Sequence, residues 1–226
     1  GKKYDYPIDT SNPFFILDYN KCILCLKCVR ACDEIQGIQA IKAINRGFDT
    51  KIATAFDTTL QDSTCVFCGQ CVQECPVGAL TEKKSIGLGR YWETQKIRTT
   101  CPYCGVGCQL YLHTKGEQIV KATAVEDASP NKGRLCVKGR FGYDFIYSEE
   151  RLTSPLIKEN GAFRKASWDE ALDLVADKFK QIIAESGPDA LAGVSCARST
   201  NEDSYQMQKL FRSVVGTNNI DHCART

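Results

Sequence analysis

Cys101-Pro-Tyr-Cys104-Gly-Val-Gly-Cys108 places three thiols within eight residues, and Cys136-Val-Lys138-Gly139 returns a fourth after a long excursion. Gly105 and Gly107 free the backbone between the second and third thiols to take conformations a side chain would forbid. Four thiolates gathered this way hold either a tetrahedral zinc or an iron–sulfur cluster. This segment alone leaves both open. Two further quartets upstream decide for iron and sulfur.

Cys22, Cys25, Cys28 and Cys32 are spaced C-x2-C-x2-C-x3-C; Cys65, Cys68, Cys71 and Cys75 repeat the spacing, followed by Pro76. The doubled run resembles that of bacterial two-cluster ferredoxins. That resemblance implies that three thiols of each run hold one cubane while the fourth reaches across to the other. It assigns Cys22, Cys25, Cys28 and Cys75 to one [4Fe–4S] cluster, and Cys65, Cys68, Cys71 and Cys32 to the second. Asp33 stands where the motif expects a proline after the first run, so the turn beyond Cys32 departs from the pattern. Zinc has no use for a crossed fourth ligand.

The chain has 226 residues, with 29 Lys and Arg against 27 acidic residues and a net charge of +2. It carries no basic block for nucleic acid and no apolar run of membrane-spanning length. Its 14 cysteines lie mostly in short-spaced clusters. That pattern favours metal ligation in a reducing compartment over a disulfide framework, and the expected location is the cytoplasm.

Residues 1–20, with Pro7 and Pro13, read as an extended arm in which Phe14-Phe15-Ile16-Leu17 forms a short strand beside the first run. Residues 33–64 form an insertion with turns at Gln36-Gly37-Ile38 and Asn45-Arg46-Gly47-Phe48, a cover that keeps water from the clusters. Residues 82–96 are polar and read as a linker. Beyond it, Gln109–Thr114 and Gln118–Thr123 alternate around Gly116 and predict a β-hairpin. His113 falls on the outer face of that hairpin, where an ordinary strand residue is the better reading than a ligand. Ser167 with Glu170 predicts a capping box opening a helix over 166–187, its apolar stripe running from Leu172 to Ile183. Ala190–Cys196 reads as a buried strand, followed by a helix from about Glu202 to Val215 with Thr200 or Asn201 as cap and Gly216 as stop. Strand and helix in alternation open an α/β layer with parallel strands, whose carboxyl ends are where ligands bind. Those ends carry Cys196-Ala-Arg198-Ser-Thr-Asn201-Glu202 and Asp221-His222-Cys223-Ala-Arg225. Cys196 and Cys223, outside the quartets, read as buried small hydrophobes.

The segments Cys101–Cys108 and Cys136–Ile146 resemble the cluster-binding N-terminus of molybdopterin-dependent oxidoreductases. The tail from Ser195 to Arg225 looks more narrowly like formate dehydrogenase catalytic subunits, and residues 14–80 are similar to the ferredoxin-like extension of their multi-subunit, NAD(P)-linked members. The expected fold class is α+β. A ferredoxin-like two-[4Fe–4S] module with its arm (1–96) leads to a small β-rich [4Fe–4S] domain (97–150) and the start of an α/β pterin-binding domain (151–226). The resemblance implies that Cys101, Cys104, Cys108 and Cys136 hold a third [4Fe–4S] cluster. It also implies a bis(molybdopterin guanine dinucleotide) cofactor carrying molybdenum or tungsten. Lys138 takes the place of the family's lysine between cluster and pterin, where position alone fits a solvated surface charge as well. Arg198, Asn201 and Glu202 fall where the family approaches the pterin.

The implied activity is reversible oxidation of formate to carbon dioxide, with electrons relayed through three clusters to a diaphorase, hydrogenase or ferredoxin-type partner. The sequence stops at Thr226, where the family places its metal-binding cysteine or selenocysteine next, which leads to the expectation of a UGA codon at that point, the alternative being a fragment of a longer chain. The rival readings are a three-cluster relay without chemistry of its own, a respiratory-complex subunit, an iron-only hydrogenase and a zinc-stapled scaffold. Lys138 and the tail argue against the second, and nothing after Cys136 resembles the active-site segments of the third.

Overall fold

The two ferredoxin-type runs wrap into a pair of matching loops, and in this computed structural model, which describes residues 5–223, the N-terminal elements are arranged about them. Strand β1 (Phe15–Leu17) precedes the first loop, which ends in the short helix α1 (Lys27–Arg30) continued by wider turns over Ala31–Ile35. The insertion forms the antiparallel hairpin β2 (Lys42–Ile44) and β3 (Lys51–Ala53). The second loop ends in α2 (Gln70–Glu74), and β4 (Leu80–Glu82) then returns antiparallel to β1, pairing Phe15 with Glu82 and Leu17 with Leu80. Phe15, Leu17, Ile41, Ile52, Leu60, Leu80 and Phe141 make one buried cluster against which the cysteines of both loops pack. The insertion thus contributes Ile41, Ile52 and Leu60 to the wall around the thiols.

The polar stretch read as a linker does more than connect. Its end enters β5 (Gln95–Thr100), which pairs with β6 (Gln109–Lys115), and β6 pairs in turn with β7 (Gln118–Ala124), all antiparallel. The expected hairpin is therefore the inner part of a three-stranded sheet with β6 at its centre. This corrects the placement of His113. The ring is 2% exposed rather than on an outer face: β6 is the central strand, with Lys96 of β5 and Lys121 of β7 as its partners in register and a bulge following at His113/Thr114. Its Nε2 pairs with Thr123 Oγ1 at 2.8 Å, while Nδ1 has no hydrogen-bond partner among the described residues. Burial, reinforced by Lys121 and Lys96, holds its pKa down at about 4, so the ring is neutral. Helix α3 (Val137–Phe141) follows Cys136.

The backbone divides into two compact units, Gly1–Asp144 and Phe145–Thr226. The second opens with the hairpin β8 (Leu156–Glu159) and β9 (Ala162–Lys165) and continues into α4 (Trp168–Ser186). Ser167 Oγ accepts from Glu170 N at 3.1 Å, half of the expected capping box; the other half is replaced, because Arg164 holds the Glu170 carboxylate. Strand β10 (Gly193–Ser195), helix α5 (Asn201–Lys209) with wider turns to Val215, and β11 (Ile220–His222) complete the unit. Strands β10 and β11 pair in parallel, Gly193 opposite Ile220 and Ser195 opposite His222. Thr200 is the cap of α5, exchanging bonds with Asp203, and Gly216 ends the following turns at φ 88°. The core here is Leu191, Phe211 and Val215 with Phe179, Ile182 and Ile183 of α4. Strand β10 is buried on one side only. Gly193 lies against the Phe211 ring, while Val194 is 73% exposed, which corrects the expectation of a fully buried strand. Among the described residues no helix is long and apolar enough to cross a membrane.

Candidate metal centres

All eight cysteines of the doubled run line a single cavity of about 870 Å³, open solvent included, whose remaining wall is largely apolar. The loops that carry them are built alike. Leu24 and Leu26 in the first, and Phe67 and Gly69 in the second, occupy equivalent positions, and all four have left-handed backbone (φ 55°, 61°, 54° and 69°). Three of the four carry side chains, for which this region is strained. The turns aim backbone amides at sulfur: Leu24 N lies 3.5 Å from Cys22 Sγ and Phe67 N 3.4 Å from Cys65 Sγ. Ala40 N adds a third such contact, 3.3 Å from Cys32 Sγ. Bonds of this kind stabilise negative charge on the sulfurs.

The electrostatics reveal which thiols are neighbours. Burial pushes the Cys28 thiol up to about 11, helped by Cys22, Cys75 and Cys25. Burial likewise raises Cys65, with Cys68 and Cys32 as its charged neighbours, and raises Cys71 well above the ordinary thiol range. So Cys75 stands with the first loop's thiols and Cys32 with the second loop's, while Cys71 also has Cys28 of the first loop as a charged neighbour. Thiols that cannot ionise cheaply in such surroundings are matched to a cationic core, which takes them as thiolates. Among the described residues no group of three or more His, Cys, Asp or Glu side chains is arranged to hold a metal ion; the thiols surround a volume instead of meeting at a point. Cubanes take thiolates spread around them in this way, and the residues fit them.

The remaining quartet sits at the end of the three-stranded sheet. Cys101 N donates to Cys108 O at 2.8 Å and closes the loop, and buried Cys101 packs with Leu110, Ala124 and Leu135. Gly139 leaves room for the Cys101 sulfur: a Cβ there would lie 3.4 Å from it and 3.2 Å from Leu135. Burial raises the thiols of both Cys101 and Cys108. Cys101 has Cys136 and Cys104 as charged neighbours, and Cys108 has Cys101, Cys104 and Cys136. The structure therefore brings all four together. Lys138 is exposed on α3, its Nζ 6.0 Å from the Tyr103 ring centre, and its charge opposes the rise at Cys101. Tyr103 Oη donates to Gly142 O, tying this loop to the end of α3.

In the second unit, Arg198, Asn201 and Glu202 are exposed at the turn after β10 and the start of α5. Cys196 and Cys223 correct the sequence reading. They are not two separate buried hydrophobes: Cys196 is exposed and Cys223 half-buried, and their sulfurs lie 3.7 Å apart at the carboxyl ends of β10 and β11. Backbone amides point at both, Ala197 N at 3.2 Å from Cys223 Sγ and Arg198 N at 3.4 Å from Cys196 Sγ. Parallel pairing joins residues 27 apart in sequence, a juxtaposition that spacing does not encode. Ala224, Arg225 and Thr226 lie outside the described residues.

Sequence reasoning also missed Arg140. It is 2% exposed, and its guanidinium donates to Cys68 O (2.7 Å), Gln73 Oε1 (2.8 Å) and Gln70 Oε1 (3.1 Å). An arginine four residues beyond the last ligand of a quartet carries no signal that it is buried; only the fold brings its partners near.

Three family models match the chain. The ferredoxin-like domain of NADH-quinone oxidoreductase subunit 3 matches residues 12–81, the molybdopterin oxidoreductase Fe4S4 domain residues 94–148, and molybdopterin oxidoreductase residues 151–226. The chain is 43% identical over 223 residues to NADPH–Fe(3+) oxidoreductase subunit alpha of Geobacter sulfurreducens, a match covering 99% of the chain and 25% of that protein. It is 39% identical over 258 residues to YjgC of Bacillus subtilis, provisionally named an oxidoreductase, with 97% and 26% covered. A Staphylococcus aureus protein provisionally named a formate dehydrogenase is 38% identical over 251 residues, with 94% and 26% covered. The chain thus spans about a quarter of the length of these relatives.

Proposed function

We propose that this chain, which belongs to the molybdopterin oxidoreductase family, is the electron-relay and pterin-proximal part of a formate dehydrogenase catalytic subunit. The observation that carries the relay is the crossed neighbourhood of the thiols, Cys75 with Cys22, Cys25 and Cys28, and Cys32 with Cys65, Cys68 and Cys71. In this reading twelve cysteines hold three [4Fe–4S] clusters: Cys22/Cys25/Cys28/Cys75, Cys32/Cys65/Cys68/Cys71 and Cys101/Cys104/Cys108/Cys136. A bound pterin guanine dinucleotide with molybdenum or tungsten supplies the two-electron chemistry at formate. The chain's own residues hold, insulate and tune the path away from it. Lys138, exposed beside Cys101, lies between the third quartet and the pterin. Arg198, Asn201 and Glu202 approach the pterin from the carboxyl end of β10. The thiol cavity is walled largely by apolar side chains, and the amides of Leu24, Phe67 and Ala40 set the charge on its sulfurs. A redox partner of diaphorase, hydrogenase or ferredoxin type takes the electrons at the N-terminal module.

Formate as substrate rests on the tail from Ser195 to Arg225 and on the name of the Staphylococcus relative. A second reading, a relay whose electrons come from elsewhere, draws support from the Geobacter relative, named for NADPH and ferric iron. One experiment separates them. The full-length protein, prepared anaerobically, is assayed for iron, molybdenum, tungsten and pterin, then offered formate or NADPH while its visible absorbance is followed. Bleaching by formate alone, with about twelve irons in this region and pterin present, supports the formate reading. Bleaching only through a nucleotide-dependent partner, without pterin, replaces it with the relay.

A further inference from the structure

Arg140 joins two of the four-thiol sites through its own hydrogen bonds. Its backbone N donates to Cys136 O at 3.1 Å, the last cysteine of the third quartet. Its Nε donates to Cys68 O at 2.7 Å, in the second ferredoxin loop. A single residue therefore spans from one ligand-bearing backbone to another 68 positions away. Both guanidinium Nη atoms are occupied by carboxamides, Gln73 and Gln70, which fix the fork in one orientation. All three side-chain partners are neutral. A buried cation whose hydrogen bonds end on neutral groups is costly unless a negative charge stands nearby. The carboxyls that face it are Glu82, which burial raises to about 7, and Glu74; the Cys68 and Cys71 sulfurs are its other charged neighbours.

The loop facing Arg140 is shaped to receive it. Leu26 and Gly69 occupy equivalent left-handed positions in the two loops. At Gly69 a Cβ would lie 2.3 Å from Arg140 Cδ and 2.6 Å from Phe141 Cζ. The first loop keeps a leucine there, and the second keeps a glycine where the arginine passes. A cation placed at one of two matching loops stabilises the reduced, more negative state of the cluster on that loop more than that of the other.

We propose that Arg140 is a positioning residue of the electron path, fixing the approach of the Cys136 and Cys68 sites and raising the potential of the Cys32/Cys65/Cys68/Cys71 cluster. The step it serves moves one electron and no proton: the cluster at Cys136 is oxidised by one electron as the cluster at Cys68 is reduced by one. This inference rests on the three-cluster reading. A parent protein without three reducible cubane signals would end that reading, whereas the difference between parent and variants tests Arg140 alone.

The full-length subunit is prepared as parent, Arg140→Gln, Arg140→Lys and Gln73→Leu, each checked for iron content. Each is then titrated with reductant while the clusters are followed by electron paramagnetic resonance. Arg140→Gln is expected to shift the Cys68 cluster to lower potential, shift the Cys22/Cys25/Cys28/Cys75 cluster less, and slow electron passage between the third and second clusters several-fold. Arg140→Lys keeps the charge but loses the fork, so it restores most of the potential without restoring the rate. Gln73→Leu loosens the fork and slows passage less than Arg140→Gln. A fully loaded Arg140→Gln with parent potentials overturns the proposal, as does a loaded Arg140→Lys with parent rate. Failure of all three variants to load iron marks Arg140 as a structural staple and overturns the tuning role as well.

Discussion

The two ferredoxin-type loops have the same cysteine spacing, the same left-handed positions and a matching amide-to-sulfur contact at their first cysteines, yet they stand in different surroundings. The first presents Ile23, Leu24 and Leu26 to solvent, at 62%, 40% and 39% exposure. The second is backed by Arg140, Gln70 and Gln73 and by the Phe141 ring. Repetition of a motif fixes the geometry of ligation. The neighbours it meets fix the charge and the dielectric, and those govern a cluster's potential. Two cubanes built from one pattern are therefore expected to differ, the inner one held by a cation and the outer one facing the medium.

The strongest way to break the comparison is to remove the crossing. Cys75→Ser is expected to abolish the signal of the cluster on the first loop, although its three other thiols are untouched, and to lower iron by about four per chain. Cys32→Ser should do the same to the second loop's cluster. Loss of the cluster on the mutated run's own side would reverse the assignment, and iron analysis with electron paramagnetic resonance reads either outcome.

Next in size is the asymmetry between Gly69 and Leu26. Gly69→Ala brings a methyl into Arg140 and Phe141 at positive φ, and is expected to cost about 2–4 kcal/mol in anaerobic denaturation. Leu26→Gly relieves backbone strain while giving up a partly exposed side chain, so it should stay within about 1 kcal/mol of the parent. Equal costs at the two positions would mean that the second loop is not shaped around the arginine.

Glu82 sharpens the contrast through pH. It is buried on β4, accepts from Tyr143 Oη at 3.0 Å, and is raised by burial to about 7. A carboxyl raised in the folded state supports stability fully below its unfolded value near 4.5, and that support fades as pH climbs through 7. Glu82→Gln should therefore match the parent near pH 4 and exceed it at pH 8 by up to about 3 kcal/mol. Melting curves at the two pH values decide it. Lys138→Gln should have the smallest effect on stability, since the side chain is exposed, while slowing formate-driven reduction of the clusters. An unchanged rate would return Lys138 to an ordinary surface charge.

The gathering of the eight cysteines of the doubled run around one cavity was legible in the sequence, because their spacing is local and regular. Ser167, Thr200 and Gly216 likewise act within their own turns, and each caps or ends the helix expected of it. What escaped depends on partners far along the chain. β5 has the polar sequence Gln95-Lys-Ile-Arg-Thr-Thr100 and is a strand because β6 pairs with it. His113 is buried because that strand makes β6 central. Arg140 is buried because residues some 70 positions earlier offer it oxygens. The nearness of Cys196 and Cys223 follows from parallel pairing across a helix.

With the proposed clusters in it, the eight-thiol cavity would also make the supply of iron and sulfide a folding ingredient. An apolar chamber left without its inorganic filling admits water or collapses, and metal uptake and chain closure become one equilibrium. Newly made protein in an iron-starved cell would then be marked for proteolysis through the segment from Phe14 to Leu80. Resistance to protease in that segment would report how well the cell's cluster-building machinery is running.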